Sequence, residues 1–196
     1  AELNFNRFKN WEDPKSSENS RQAVYAFKGD VYSGLDADTI QDDKFEYLQK
    51  TLRIISGYYG ILRPFDKILP YRLEMGTRLE NENGNNLYKF WGDKITDVLN
   101  DDIEDNDIVV NLASDEYFKS INKEKLNAQI ITPVFKEFKN DSYKVIAIYA
   151  KKARGLMSRF LIERKSKNVD DIKLFNTDGY TFDGNLSTEN ELVFTR

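Results

Sequence analysis

Apolar residues recur at helical spacing in several parts of the chain, and these stretches predict its main helices. Phe45, Leu48 and Leu52 follow i, i+3, i+7 spacing, which indicates one buried stripe on a helix over residues 42–55. Apolar spacing and capping residues together predict four further helical stretches, at residues 21–27, 87–99, 114–118 and 150–165.

Strand patterns lie between these helices. Residues 107–113 form an apolar run that predicts a buried strand, and two β-rich runs around residues 139–142 predict a hairpin over 129–149. Shorter extended segments are predicted at residues 28–32, 71–75, 172–175, 180–182 and 191–194. Helices and strands that alternate in this way predict a mixed α/β fold, and a chain of 196 residues is expected to form one domain.

The composition removes several kinds of chemistry. The chain contains no cysteine and no histidine, which excludes disulfides, thiolate metal sites, Ser-His-Asp hydrolysis and Cys-His chemistry within it. We therefore predict no metal site and no cofactor. No stretch reaches the roughly 20 apolar residues that cross a bilayer, and the first residues lack a signal-peptide pattern, so we expect a soluble cytoplasmic protein with no membrane partner.

The formal net charge is −4, so any nucleic-acid contact must be local. Positive charge concentrates at residues 151–167, where seven basic residues accompany the single acid Glu163. On the helix predicted there, the apolar side chains share one side and the other carries Lys151, Lys152, Arg154, Arg159 and Lys165.

Gly155 and Ser158 fall in the middle of this basic face, which predicts a shallow floor that a phosphate could approach. The alternative interpretation is a solvated helix face whose cations pair with acids elsewhere.

Other segments also offer groups that suit an anion. Lys28 and Asp30 flank Gly29, where they could orient a small ligand or close a turn with an ion pair. Arg72 and Arg78 present guanidinium groups suited to phosphate, although Glu74 could instead pair with Arg72.

Gly57 and Gly60 could expose backbone N–H groups to a phosphate, with Arg63 close behind them in the sequence, or could simply form a turn. Asp115 and Glu116 follow the strand predicted at 107–113. They could serve as an acid or base, could bind a hard cation such as Mg²⁺, or could be first-turn acids of a helix that Ser114 caps. Asp30 and Glu116 are the catalytic candidates, and the sequence assigns them no reaction.

Five of these segments occur in an order that resembles the bacterial YaaA family. They are Phe27-Lys28-Gly29-Asp30-Val31-Tyr32, Leu52-Arg53-Ile54-Ile55-Ser56-Gly57-Tyr58-Tyr59-Gly60, Pro70-Tyr71-Arg72-Leu73-Glu74-Met75-Gly76, Asn111-Leu112-Ala113-Ser114-Asp115-Glu116-Tyr117-Phe118-Lys119 and Ala150-Lys151-Lys152-Ala153-Arg154-Gly155-Leu156-Met157. The likeness runs from about Arg7 to Arg196.

This resemblance implies an unusual α/β fold, with a mixed sheet flanked by helices and a positively charged cleft. It also implies DNA binding assisted by a helix-hairpin-helix element, which would map onto residues 43–69 with the hairpin at 56–60. Family members carry a further N-terminal segment with a Ser-Pro-Ala-Lys motif, so residues 1–196 are expected to be one YaaA-like domain that lacks it.

The resemblance further implies resistance to hydrogen peroxide and limitation of iron-dependent damage. Two functions from different classes follow. The first is a DNA-binding protein of the peroxide response, in which the cations named above contact phosphates without reading sequence. The second is an enzyme or sensor for a small anionic or phosphorylated ligand, with Lys28, Asp30, Arg72, Glu116 and Lys151 around one cleft.

Overall fold

The computed structural model describes residue 9 and residues 11–196, and these residues confirm the mixed α/β class. The chain divides into two compact units. The first unit contains residues up to Phe27, Gln49–Asp102 and Ala113–Asn127, and the second contains Lys28–Leu48, Ile103–Leu112 and Ala128–Arg196. No helix in the described part of the chain has the length and apolar character needed to span a membrane.

The first unit combines short strands with short helices. Its elements are β1 (Arg21–Gln22), α1 (Ala23–Ala26), the carboxyl end of α3 (Phe45–Thr51), β2 (Ile54–Ser56), β3 (Gly60–Leu62), β4 (Lys67–Ile68), α4 (Leu87–Trp91), α5 (Lys94–Asp102) and α6 (Asp115–Phe118). Antiparallel pairing joins β1 to β4 and β2 to β3.

The second unit is built on a five-stranded mixed sheet. Its strands are β5 (Ile108–Val110), β6 (Gln129–Lys139), β7 (Ser142–Lys144), β8 (Thr181–Phe182) and β9 (Glu191–Thr195). The order is β5-β6-β9-β8, with β7 paired to the end of β6; β5 and β9 run parallel to β6, while β7 and β8 are antiparallel to their neighbours.

Three helices accompany this sheet: α2 (Asp30–Leu35), α7 (Ala147–Arg164) and α8 (Val169–Lys173). Alternation along β6 points Ile131 and Phe135 to one face, where they pack with Met157 of α7 and Ile172 of α8 in a single apolar cluster. Burial of this cluster fixes α7 on the sheet.

Helix α7 is buried on a second side by α2. A Cβ atom placed on Gly155 would lie 1.9 Å from the Val31 carbonyl oxygen, and one on Gly34 would lie 2.3 Å from the Lys152 carbonyl oxygen. Only glycine allows the two backbones to approach so closely. The long predicted helix is thus confirmed, and it is packed between the sheet and α2.

Several predicted elements are corrected by the structure. Residues 28–32 are not extended, because Asp30 begins α2. Residues 172–175 are not a strand, because α8 includes the first two of them and a turn follows at Leu174. Residues 71–75 have no strand partner. The helix predicted over 87–99 is divided at Gly92, where φ is 51° and the chain turns between α4 and α5.

The helix-hairpin-helix mapping onto residues 43–69 is also corrected. Helix α3 ends at Thr51, and residues 54–62 form the antiparallel strands β2 and β3, so strands and not helices flank the turn at 56–60. The apolar pair Ile54 and Ile55 continues the helical stripe in sequence, but its backbone pairs with Leu62 and Ile61 instead.

Candidate nucleic-acid interface

The amino-terminal half of α7 presents two lysines on a firmly packed helix. Lys151 and Lys152 are both exposed, while Ala150 and Ala153 on either side of them are buried in the core. Lys152 Nζ lies 3.8 Å from Asp178 Oδ2. Lys151 has no ion-pair partner within 4.0 Å among the described residues. A rigid helix therefore carries cations whose ammonium groups remain available to an anion.

The small-residue floor predicted beside these cations is wrong. Gly155 and Ser158 are buried, since α2 packs directly over Gly155 and the Ser158 hydroxyl donates to the Arg154 carbonyl at 3.0 Å. The small side chains serve the helix crossing and leave no surface for a phosphate at that point.

Arg159 has a structural use in the same unit. Its Nη1 donates to the Asp36 carbonyl and to Thr39 Oγ1, both at 2.8 Å, and its Nη2 donates to the Thr39 carbonyl at 3.1 Å. Nε forms an ion pair with Glu163 at 2.7 Å. These contacts satisfy carbonyls beyond the carboxyl end of α2, where Asp36 has a left-handed φ of 48°. The guanidinium is thus engaged within the protein.

Lys28 and Asp30 lie at the start of α2. Gly29 occupies the N-cap position with φ at 125°, a conformation that favours glycine, and Asp30 is in the first helical turn. Both charged side chains are exposed, and the structure describes no ion pair between them, so the turn is not closed in that way. The Asp30 carboxylate suits the positive end of the helix dipole.

Two backbone donors of the glycine turn in the first unit are used internally. The backbone N–H groups of Tyr58 and Tyr59 donate to Ser56 Oγ at 3.2 and 2.9 Å. Gly60 has φ at 76°, and a Cβ atom there would meet the Trp91 ring at 2.8 Å. These two N–H groups already donate to Ser56 Oγ and are therefore not open to a phosphate oxygen.

The three candidate arginines of the first unit differ in their surroundings. Arg63 Nη2 binds Asp102 Oδ1 at 2.6 Å, and the other oxygen of this carboxylate binds Arg53 at 2.7 Å. The two guanidinium groups hold the pKa of Asp102 below its ordinary value, although its burial opposes them. Arg72 is 79% exposed and lies 3.8 Å from Glu74, and Arg78 is exposed as well.

Glu116 organises the segment that precedes α4. Its Oε1 accepts a hydrogen bond from the Gly76 backbone N–H at 2.8 Å, and its carbonyl accepts one from the Tyr88 hydroxyl at 2.9 Å. Burial, with a smaller contribution from the Glu116 charge, raises the pKa of Tyr88. The bond from Gly76 gives the carboxylate a structural use.

The predicted small-ligand group divides between the two units. Lys28, Asp30 and Lys151 belong to the second unit, whereas Arg72 and Glu116 belong to the first. Their gathering around one cleft stays a prediction. Within the described residues, no group of three acidic side chains is placed to hold a metal ion.

Sequence reasoning missed one exposed surface. Five large apolar residues of the β6–β7 hairpin and the start of α7 are 43–60% exposed: Phe138, Tyr143, Val145, Ile148 and Tyr149. The sequence does contain a sign of this surface: the two-residue turn Asn140-Asp141, with lysines around it, marks an exposed hairpin tip.

The fold and these sites define a mixed α/β protein that displays lysines on a doubly buried helix and contains neither histidine nor cysteine. The family model for peroxide stress protein YaaA matches residues 1–186, so the chain belongs to that family. It is accordingly a protein of the peroxide stress response.

Proposed function

We propose that this protein binds DNA during peroxide stress, through phosphate contacts from Lys151, Lys152 and Lys28. The observation that carries the proposal is the state of the α7 lysines: they are exposed and at most weakly paired, on a helix that the sheet and α2 hold in place. Lysine contacts of this kind position a duplex without reading its sequence.

The pairing of Lys152 does not compete strongly with DNA. Its ammonium is 3.8 Å from the Asp178 carboxylate and its side chain is 54% exposed, and surface pairs of this sort contribute about 0–1 kcal/mol. Asp178 Oδ2 also has a shorter ion pair, at 2.8 Å, with Arg196. Lys152 can therefore turn to a phosphate while Asp178 stays paired.

DNA binding also offers a physical route to protection from iron. A protein that neutralises phosphates releases the cations condensed around them. Ferrous ion is a divalent cation that such phosphates attract, so bound protein would lower the amount of iron at the DNA. Less iron at the DNA means that fewer oxidising species form beside it when peroxide arrives.

Fluorescence anisotropy of a labelled random-sequence duplex across a salt series tests the proposal. Each lysine–phosphate pair that a variant removes should make the slope of log K against log salt shallower by about 0.9. Lys151→Ala/Lys152→Ala should thus reduce the slope by about 1.8 and weaken binding at every salt concentration.

The matched control is Lys94→Ala/Lys123→Ala, which removes the same charge from exposed lysines of the first unit. The proposal expects this control to keep the wild-type slope. An α7 double variant with an unchanged slope would refute the assignment to these lysines. Wild-type protein that binds no duplex would refute the proposed function and favour a small anionic ligand.

A further inference from the structure

The β6–β7 hairpin extends past the rest of its sheet. Pairing between β6 and β9 ends at Lys136, whereas β6 pairs with β7 from Glu137 to Lys139. The turn residues Asn140 and Asp141 both have positive φ, at 51° and 56°, which gives the tight turn typical of two-residue hairpins. We call residues 137–144 the ribbon.

One face of the ribbon carries an exposed aromatic pair. Phe138 and Tyr143 are directly opposite each other, are 60% and 43% exposed, and have ring centroids 5.3 Å apart at 65°. The rings contact each other edge to face, so much of their surface remains open to solvent. Val145 and Ile148, 56% and 60% exposed, follow in sequence and extend the apolar character toward α7.

Positive charge lies on both faces of the ribbon. Alternation along β6 puts Lys136 on the same face as Phe138. Lys139 and Lys144 lie on the opposite face, where they are exposed and have no ion-pair partner within 4.0 Å among the described residues. Residues 136–145 contain two acids, Glu137 and Asp141. Glu137 forms an ion pair with Arg196 at 2.9 Å, so Asp141 at the turn is the acid that offsets the charge of the lysines.

The charges favour one occupant of this surface. A second copy of the chain, joined symmetrically through the aromatic face, would place Lys136 of both copies in one interface, and like charges there oppose association. A purely apolar partner would leave the lysines unused. An unpaired nucleic-acid strand matches both features, because its bases stack on aromatic rings and its phosphates attract lysine.

We propose that the ribbon is a stacking platform for unpaired nucleobases, with Phe138 and Tyr143 contacting base faces and Lys136 contacting a phosphate on the same face. Lys139 and Lys144 attract the phosphate backbone from the opposite face of this narrow ribbon. The inference rests on the proposed DNA binding and gives that function a preferred substrate, DNA with single-stranded segments. Duplex bases cannot reach these rings without unstacking, so duplex contacts stay with the α7 lysines.

The test compares two labelled probes, a thymidine oligomer of about 15 nucleotides and a duplex of similar length. Stacking on each aromatic side chain changes affinity by about 5- to 150-fold, so Phe138→Ala/Tyr143→Ala should weaken oligomer binding at least about tenfold. Duplex affinity should change less than about twofold, since lysines 151 and 152 are untouched.

Two further variants separate stacking from other effects. Phe138→Tyr keeps an aromatic ring and should retain oligomer binding, whereas Phe138→Leu/Tyr143→Leu keeps apolar bulk and should lose it. Trp11→Ala removes an exposed aromatic residue of the first unit and should leave both probes unaffected. Circular dichroism melting curves confirm that each variant is folded.

The outcomes distinguish the two proposals. Unchanged oligomer binding by folded Phe138→Ala/Tyr143→Ala, with duplex binding intact in the wild type, would overturn the stacking platform and leave the proposed function standing. A wild-type protein that binds no duplex would overturn the proposed function, and one that binds no oligomer would overturn the platform. Equal loss of binding to both probes would also overturn the platform, because it would show no preference for unpaired bases.

Discussion

Replacing Gly155 by alanine tests the packing of α7 against α2. In an open helix, this change stabilises by about 1 kcal/mol, because alanine loses less backbone entropy than glycine. Here the new methyl group would lie 1.9 Å from the Val31 carbonyl oxygen and 2.8 Å from the Leu35 backbone nitrogen. Both are main-chain atoms, so α2 must shift to admit it.

The expected result has the opposite sign to the open-helix value. Forcing an extra carbon into close packing costs about 1–3 kcal/mol, and a clash with backbone belongs in the upper part of that range. After the propensity gain of about 1 kcal/mol is subtracted, Gly155→Ala should destabilise the protein by about 1–2 kcal/mol. For a chain of this length, the melting temperature should fall by about 2–8 °C.

Urea and thermal unfolding followed by far-ultraviolet circular dichroism measure this change. Gly184→Ala is the control, because its Cβ atom would meet Phe182 at an ordinary 3.6 Å, and its effect should stay within about 0.5 kcal/mol. A Gly155→Ala protein that melts at or above the wild-type temperature would refute the buried crossing. Gly155 would then be an open surface position.

Three further changes have defined outcomes. Arg159→Ala should destabilise the protein by about 1–3 kcal/mol in urea unfolding, because the Asp36 and Thr39 carbonyls lose a charged donor. The same variant should keep the wild-type salt slope for duplex DNA, and a shallower slope would place Arg159 at the DNA. Burial raises the pKa of Tyr71 to about 12, above its ordinary value of about 10, so its contribution to stability is complete below pH 10 and is lost as pH rises to about 12. Tyr71→Phe should therefore lose less stability over that interval than the wild type, and equal losses would contradict the shift. Both methionines are fully buried, so folded protein treated with hydrogen peroxide should gain no methionine sulfoxide by mass spectrometry. Protein unfolded in urea should gain the sulfoxide readily, and rapid oxidation of folded protein would contradict the burial of the methionines.

Long-period patterns were the most informative part of the sequence. The helix predicted over 150–165 corresponds to α7, Ala147–Arg164. It was predictable because helical spacing of apolar residues that persists over several turns identifies a helix even where single residues would suit another element. The strand at 191–194 and the turn at 139–142 were also predicted correctly. In contrast, the pattern of Ile172 and Phe175 is compatible with either a strand or a helix. The structure has the helix α8 there, because the Asn168 side chain caps its first turn by accepting a hydrogen bond from the Asp171 backbone N–H at 3.0 Å.

The candidate site was less predictable because its contacts connect distant parts of the chain. Small residues on the basic face of α7 resemble an open floor in sequence, and only the arrival of α2 shows that Gly155 is a packing position. Arg159 meets acceptors at Thr39, 120 residues earlier, which no local pattern reveals. The exposure of Lys151 and Lys152 follows from helix periodicity alone and was predicted correctly.

Lysine footprinting on the DNA complex tests the central claim most directly. Acetylation of the protein with and without excess random-sequence duplex, read by mass spectrometry, reports how accessible each ammonium group is. Binding by α7 predicts that Lys28, Lys151 and Lys152 are protected in the complex while Lys94 and Lys123 are modified as before. Full modification of Lys151 and Lys152 in protein that is saturated with duplex would contradict the account.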